Sequence, residues 1–198
     1  MIAQFEDRLN LNTMLWIPNF PWGTEIIDRY KDRWDWLQII STPFFPWSDA
    51  LIEMYKDYID WMMAANSQYF PWSEAILDRY ADKIDWTALS WRGRLPWSLE
   101  LIERNEDRWD WEWMSWNEYV PWSIELLDRY EDRWDWNRLS QVETLPWSDE
   151  FIKRHEDRWN YRLLNSNLGL SRNMSFWQLR ICHKDKANKG GTSSRRCP

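Results

Sequence analysis

Apolar and polar positions along the chain follow a pattern that returns every 25 residues. The dipeptide Pro-Trp recurs at this spacing and opens six repeats, 21–45, 46–70, 71–95, 96–120, 121–145 and 146–170, numbered first to sixth here. In the fifth repeat the apolar side chains of the first half fall at helical spacing, at Leu126, Leu127, Tyr130 and Trp134. A fixed period of this kind is typical of stacked repeat arrays.

Each repeat is predicted to form two short helices. In the fifth repeat Ser123 is a good N-cap for a first helix, helix A, which we expect to run from about Ile124 to Arg133. Asp135 then caps a second and shorter helix, helix B. The proline that opens the next repeat ends helix B, because proline cannot continue a helix.

These caps explain two of the columns of Trp, a column being a set of residues separated by multiples of the period. Trp122 and Leu127 stand at the N′ and N4 positions around Ser123, the arrangement of a hydrophobic staple. Trp134 and Leu139 stand in the same relation around Asp135. Isolated helices shorter than about 12–15 residues are marginal in water. Apolar burial between neighbouring repeats must therefore stabilise them.

We predict an all-α fold, an α-solenoid of short two-helix repeats in about six copies with degenerate terminal caps. A leucine-rich β repeat has a similar period, but its L-x-x-L-x-L-x-x-N pattern is absent. The predicted organisation is a degenerate half-repeat or cap at 1–20 and six helical repeats at 21–170, then a capping helix at 171–182 and a disordered basic tail at 183–198.

Charge argues against nucleic acid as a ligand of the repeats. The chain has 25 Lys and Arg residues and 32 Asp and Glu residues, a formal net charge of −7. Six of the basic residues lie from Arg180 onward, where Asp185 is the one acidic residue, so residues 1–179 have a net charge of −12. A body of this charge repels phosphate backbones.

The 20 Trp residues do not indicate a membrane protein. Trp is enriched at membrane interfaces, but no apolar run approaches the roughly 18 residues that a spanning helix needs. The two cysteines, Cys182 and Cys197, lie near the C-terminus and form no disulfide framework, so a reducing cytoplasm is the expected location. We expect no membrane contact, and a chain that is monomeric or part of a longer array.

The sequence DRWDWNRLS followed by LPWS resembles the tandem Trp-rich repeats of uncharacterised bacterial and giant-virus proteins. The resemblance covers about residues 5 to 165 and implies a repeat fold with no established activity. The second and third repeats depart from the pattern with DYIDW and DKIDW, and the sixth departs with DRWNY at 157–161. The local staple and cap are in question at these places.

No catalytic, metal or cofactor site is predicted. Two columns of Asp, which begin at Asp32 and Asp35, could offer oxygen ligands to Ca²⁺, but no Gly-rich metal loop accompanies them. We expect these carboxylates to cap helices and to form ion pairs between repeats with Arg33, Arg108, Arg133 and Arg158. His155 and His183 have no evident partner, and Cys182, His183 and Cys197 match no standard zinc spacing. We expect a protein that is not an enzyme.

Three Trp residues exceed what the repeat requires. Trp91 and Trp116 occupy equivalent positions in adjacent repeats, and Trp113 stands where other repeats carry Thr, Gln, Met, Ala or Arg. Arg92 and Arg94 are close in sequence, and Trp and Arg dominate interface hot spots. These five residues are the candidate binding site, although the three Trp could instead fill space between two repeats.

The predicted function is therefore that of a non-enzymatic repeat scaffold that binds another protein. The alternative is carbohydrate recognition by exposed Trp faces with Asp and Arg around them. If Trp91, Trp113 and Trp116 are exposed with carboxylates alongside, sugar binding is favoured. If they are wedged between helices, both kinds of site are weakened.

Overall fold

The computed structural model describes residues 10–92 and 94–173, and the side chains of Arg92 and of residues 171–173 are outside that description. Within those ranges the chain forms fourteen short α-helices and no strand, which confirms the all-α prediction. Residues 1–9 of the predicted N-terminal cap, most of the predicted capping helix at 171–182 and the predicted tail at 183–198, with Cys182, His183 and Cys197, lie outside the described residues.

Short helices follow one another in a regular order along the chain. In chain order they are α1 (Leu11–Met14), α2 (Thr24–Arg29), α3 (Trp36–Ser41), α4 (Asp49–Tyr55), α5 (Trp61–Asn66), α6 (Glu74–Arg79), α7 (Trp86–Arg92), α8 (Leu99–Arg104), α9 (Trp111–Met114), α10 (Ile124–Arg129), α11 (Trp136–Leu139), α12 (Asp149–Arg154), α13 (Tyr161–Leu164) and α14 (Leu168–Asn173). The even-numbered helices from α2 to α12 are helix A of the six repeats, and the odd-numbered helices from α3 to α13 are helix B.

The helices belong to two compact units. The first consists of Met1–Leu89 with Gly93–Pro96, and the second consists of Ser90–Arg92 with Trp97–Pro198. In the first unit α3 packs against α5, and the fully buried side chains include Ile27, Ile39, Ile52 and Leu77. The core of the second unit includes Leu101, Met114, Leu127, Leu139 and Phe151.

The predicted caps are confirmed. The hydroxyl of Ser123 accepts from the backbone N–H of Leu126 at 3.1 Å, and Oδ1 of Asp135 accepts from the N–H groups of Asn137 and Arg138. The departure in the sixth repeat preserves the cap, because Asn160 accepts in the same way at the start of α13. A side-chain oxygen is enough for this role, and Asn and Asp are nearly equal N-caps.

The predicted length of helix A is wrong. The helix of the fifth repeat, α10, ends at Arg129 and not at Arg133, because Tyr130 has non-helical dihedral angles, φ −118° and ψ 30°, and the N–H of Arg133 donates to the carbonyl of Tyr130 and not to that of Arg129. The carbonyl of Glu131 accepts from the indole N–H of Trp136 at 2.9 Å. The N–H of Asp135, which would donate to that carbonyl in a continued helix, donates instead to the hydroxyl of Ser115.

Candidate functional site

Most Trp side chains are tied to the backbone and serve the framework. The Trp that follows the Asp cap of helix B, which is the second Trp of the Trp-Asp-Trp motif where that motif is complete, donates its indole N–H to the carbonyl five residues earlier. These bonds are Trp36–Lys31, Trp61–Lys56, Trp86–Ala81, Trp111–Glu106 and Trp136–Glu131. In the sixth repeat the hydroxyl of Tyr161 replaces the indole and donates to Glu156 at 2.7 Å. This column is therefore structural.

The first Trp of the motif is structural as well. The indoles of Trp34, Trp109 and Trp159 donate to carbonyls on helix A seven residues earlier, at 3.1 to 3.2 Å. Trp134 is equally buried, but its indole nitrogen has no hydrogen-bond partner. A buried indole normally has a hydrogen-bond partner, and Trp134 is the exception among these four. All four rings are buried, so this column also belongs to the core.

Serine side chains join successive repeats in the second unit. The hydroxyl of Ser115 donates to the carbonyl of Trp111 at 2.6 Å and accepts from the N–H of Asp135 at 2.9 Å. Ser140 makes the same pair of bonds with Trp136 and Asn160. The serine that ends the motif therefore connects helix B of one repeat to the helix-B cap of the next.

A second connecting column was missed by the sequence reasoning. Its members donate a side-chain hydrogen bond to a carbonyl 27 residues earlier, and they are Thr42, Ser67, Asn117 and Asn167. The side chains of Thr42, Ser67 and Asn117 also accept from the N–H two residues ahead, which forms a local turn. The available signal was a small polar residue at this position in four repeats.

Charged side chains make further contacts between repeats. The predicted ion pairs of Arg133 and Arg158 are confirmed, with Asp107 and Asp132 of the preceding repeats as partners. A parallel set joins Arg residues of helix A to acids of the preceding helix A, as Arg79–Glu53, Arg129–Glu103 and Arg154–Asp128. Because most of these side chains are exposed, each pair contributes at most about 1 kcal/mol to stability.

Three of the five predicted binding residues come together in the second unit. The rings of Trp91 and Trp113 lie 5.4 Å apart between centroids, and the guanidinium of Arg138 lies 4.4 Å from the ring centroid of Trp113 and 5.5 Å from that of Trp116. Trp91 is 37% exposed and Trp116 is 45% exposed, while Trp113 is half-buried. We call Trp91, Trp113, Trp116 and Arg138 the tryptophan patch.

Arg138 is held in place by carboxylates on both sides. Its Nη2 lies 2.6 Å from Oε1 of Glu112, and its Nε lies 3.3 Å from Oδ2 of Asp135, the cap of α11. The side chain of Arg138 is only 19% exposed. Sequence reasoning missed it because Arg138 is the member of the Trp113 column in the next repeat, and the contact between the two is visible only in the structure.

The places of Arg92 and Arg94 in the site stay a prediction. The backbone of Arg92 lies in α7, but its side chain is outside the described residues. Arg94 is exposed and belongs to the first compact unit. Proximity in sequence was the reason for including both, and it did not predict the arginine that contacts the Trp rings.

His155 was predicted to have no evident partner, and in the structure it is packed against aromatic and acidic side chains. It is 4% exposed, its ring stacks on Trp136 with centroids 4.8 Å apart, and its Nε2 lies 3.1 Å from Oδ1 of Asp128. Neither ring nitrogen makes a hydrogen bond of good geometry. His155 therefore lies in a packed position of helix A rather than in an open site.

Among residues 10–92 and 94–173, no group of three or more His, Cys, Asp or Glu side chains is arranged to hold a metal ion. In the same ranges no helix has the length and apolar character required to cross a membrane.

No family model matches the chain, and neither a curated protein nor a solved structure matches it. The resemblance to Trp-rich tandem repeats therefore stays a prediction.

Proposed function

We propose that the chain is an α-solenoid of six stacked repeats with degenerate terminal caps, and that it is a non-enzymatic scaffold for protein–protein binding, acting as a monomer or as part of a longer array. Support for stacking comes from side-chain bonds between successive repeats that recur one period apart. Asp135 to Ser115 and Asn160 to Ser140 are one such pair of equivalent bonds. A solenoid is built from contacts of this nearest-neighbour kind.

Deletion of residues 121–145 tests the stacking. The deletion removes one whole repeat and brings the sixth repeat next to the fourth, where Ser115 can replace Ser140 as the acceptor for Asn160 and Glu103 can replace Asp128 as the partner of Arg154. We expect the shortened chain to keep its helical circular dichroism and to unfold cooperatively at a lower temperature. Loss of helical structure would contradict the solenoid.

The tryptophan patch is the proposed binding surface. The observation that carries this proposal is that Trp91 and Trp116 expose their rings, while the second Trp of the motif, as at Trp111 and Trp136, is bonded to the backbone. Rigid aromatic side chains offer large contact area at low entropic cost, and an Arg held between two carboxylates is already ordered. Preorganised Trp and Arg side chains are typical of interface hot spots.

Carbohydrate binding is the second candidate. The exposed carboxylate of Glu112 beside Arg138 favours it, because sugar hydroxyls need such hydrogen-bond partners. Against it, the Arg138 guanidinium already lies over the rings of Trp113 and Trp116, on which a sugar would have to stack. The N–H groups at the edge of the guanidinium can donate to a carbonyl or carboxylate of a protein partner. Protein binding is therefore the better supported of the two.

The test is a triple variant that uses side chains already present in the same columns. Trp91→Ser, Trp113→Ala and Trp116→Gln restore the residue types of Ser41, Ala88 and Gln141, so the fold is expected to tolerate them. The matched control replaces the exposed apolar residues Leu37 and Met62 of the first unit with Thr, the type found at Thr87 in their column.

Both variants and the parent are used as bait in quantitative co-purification, with thermal melts to verify folding. We expect one or more protein partners to bind the parent and the control but not the triple variant. Equal recovery of every partner on all three would refute the patch as the binding surface. The same three proteins are also tested on an array of glycans. If the parent and the control bind a glycan and the triple variant does not, the carbohydrate proposal would replace the protein one.

A further inference from the structure

An open surface pocket of about 510 Å³ lies in the first compact unit. It is lined by Glu53 and Lys56 of the second repeat and by Arg79, Tyr80 and Lys83 of the third. We call it the Lys56 cavity. Its volume is within the range of about 300–1,000 Å³ that small-molecule sites occupy.

The Lys56 cavity has an excess of positive charge. Three cationic side chains, Lys56, Arg79 and Lys83, face two carboxylates, Glu53 and Asp57, the second of which lies 3.2 Å from Lys83. On a chain whose net charge is −7, such an excess is a local exception.

The same positions of other repeats within one unit carry the opposite balance. Between the fourth and fifth repeats two arginines face three acids, at Arg129, Arg133, Glu103, Glu106 and Asp107. Between the fifth and sixth repeats the set is Arg154, Arg158, Asp128, Glu131 and Asp132. Between the first and second repeats one lysine faces two acids, at Lys31, Asp28 and Asp32. The framework therefore does not require the excess found at the Lys56 cavity.

The reversal has two sources in the sequence. Lys56 stands in a column that carries Glu at Glu106, Glu131 and Glu156. Lys31 is in the same column, but the facing second repeat has Met54 and Tyr58 where the third repeat has Arg79 and Lys83. Only at Lys56 does a lysine of this column face two cations of the next repeat within the described units.

Glu53 organises the donors of the cavity. Its Oε1 lies 2.7 Å from Nζ of Lys56, and its Oε2 accepts from the hydroxyl of Tyr80 at 2.5 Å and lies 3.6 Å from Nη1 of Arg79. Hydrogen bonds from Lys56 and Tyr80 lower the pKa of Glu53 to about 2, so it remains a carboxylate at neutral pH. An ammonium has three donors and a guanidinium has five, so Lys56, Lys83 and Arg79 retain donors for a ligand.

We propose that the Lys56 cavity binds a compact dianion of the phosphate class, either inorganic phosphate or the phosphate group of a small monoester. Guanidinium and ammonium groups are the usual donors to phosphate oxygens, the first in a bidentate fork and the second as a point charge. The acidic body excludes long polyanions, because charges beyond the cavity repel them. A small ligand meets only the local excess of positive charge. This site goes beyond the proposed function and is independent of the tryptophan patch.

The matched variants come from the chain itself. Lys56→Glu introduces the residue found at Glu106, Glu131 and Glu156, so the fold should accept it. Lys31→Glu makes the same change in the same column at a residue that does not line the Lys56 cavity. Lys83→Tyr, which introduces the residue type of Tyr58, is a second variant that removes a cation without adding an acid.

Inorganic phosphate and ribose 5-phosphate are titrated into each full-length protein by calorimetry, at an ionic strength of about 10 mM, where the Debye length is about 30 Å. Ribose serves as the uncharged control. We expect Lys56→Glu to weaken phosphate binding at least about tenfold, since the charge beside a dianion changes by two units. Lys83→Tyr should weaken it by a smaller factor, and Lys31→Glu should leave it within about twofold.

The outcomes separate the sources of the ligand and the failure of the proposal. Equal affinity for phosphate and ribose 5-phosphate would indicate that the site recognises the phosphate group alone. Tighter binding of ribose 5-phosphate would indicate that the rest of the cavity contacts the sugar. Absence of binding to the parent would overturn the proposal. So would equal weakening by Lys31→Glu and Lys56→Glu, since that result would indicate only the general charge of the chain. Thermal melts of all variants verify that they are folded.

Discussion

Replacing Ser115 with alanine tests whether the serine at the end of the motif joins successive repeats. The hydroxyl is buried and makes two bonds, to the carbonyl of Trp111 and from the N–H of Asp135. After the change the Trp111 carbonyl keeps the backbone N–H of Ser115 as a donor at 3.0 Å. The N–H of Asp135 loses its acceptor. Alanine occurs at Ala65 in the same column, so the smaller side chain fits.

The expected cost follows from that one unsatisfied group. Leaving a buried backbone N–H without a partner costs about 1–3 kcal/mol, so Ser115→Ala should lower the free energy of unfolding by about 2 kcal/mol. Ser41→Ala is the control. Its hydroxyl makes the same bond to a carbonyl four residues earlier, that of Leu37 at 2.9 Å, but the side chain is exposed. We expect its effect to be below about 0.5 kcal/mol.

Urea unfolding followed by circular dichroism measures both variants against the parent. A shift of the midpoint for Ser115→Ala alone, with an unchanged slope, would support the role of the serine as a connector. If Ser115→Ala were no more destabilising than Ser41→Ala, the bond between repeats would contribute nothing and the argument would be wrong.

Three further predictions concern single side chains. In the same urea assay, Asp135→Ala should lower the free energy of unfolding by about 1 kcal/mol. Asp135→Asn should leave it almost unchanged, because Asn160 caps α13 in the same way. His155→Tyr should raise stability by about 1 kcal/mol, since it replaces two poorly bonded buried nitrogens with a hydroxyl that can reach Asp128 as Tyr80 reaches Glu53; a lower melting temperature would contradict this. The pKa of Glu53 is lowered to about 2, so its stabilising effect should be complete above pH 4.5 and lost as the pH falls towards 2. Melts of the parent and of Glu53→Gln across that range should therefore converge at the acidic end, and a constant difference would refute the assignment.

Local chemistry explains which parts of the fold could be predicted. The caps at Ser123 and Asp135 depend on residues within three positions, so the sequence was enough to place them. The sequence could not show that the N–H of Asp135 takes its acceptor from Ser115, twenty residues earlier. No pattern within one repeat contains that information.

The candidate site was predicted in part for a similar reason. Trp91, Trp113 and Trp116 were visible as departures from their columns, and the contacts of Trp91 with Trp113 agree with their grouping. Arg138 is an ordinary surface residue by sequence and joins the group only because it lies over the ring of Trp113. Trp113 and Arg138 are members of one column in successive repeats, and they are in contact. A search for the column members of Trp113 in the adjacent repeats would have identified Arg138.

The side-chain bonds that connect repeats also bear on how fast the chain folds. Those described above join residues only 20 to 27 positions apart, as in Asp135–Ser115 and Asn117–Ser90. Closing a loop of this size costs little entropy, and chains dominated by such short-range contacts fold in microseconds to milliseconds. The rate-limiting step should then be the closure of one pair of repeats. Adding a repeat would slow unfolding and leave the rate of folding almost unchanged.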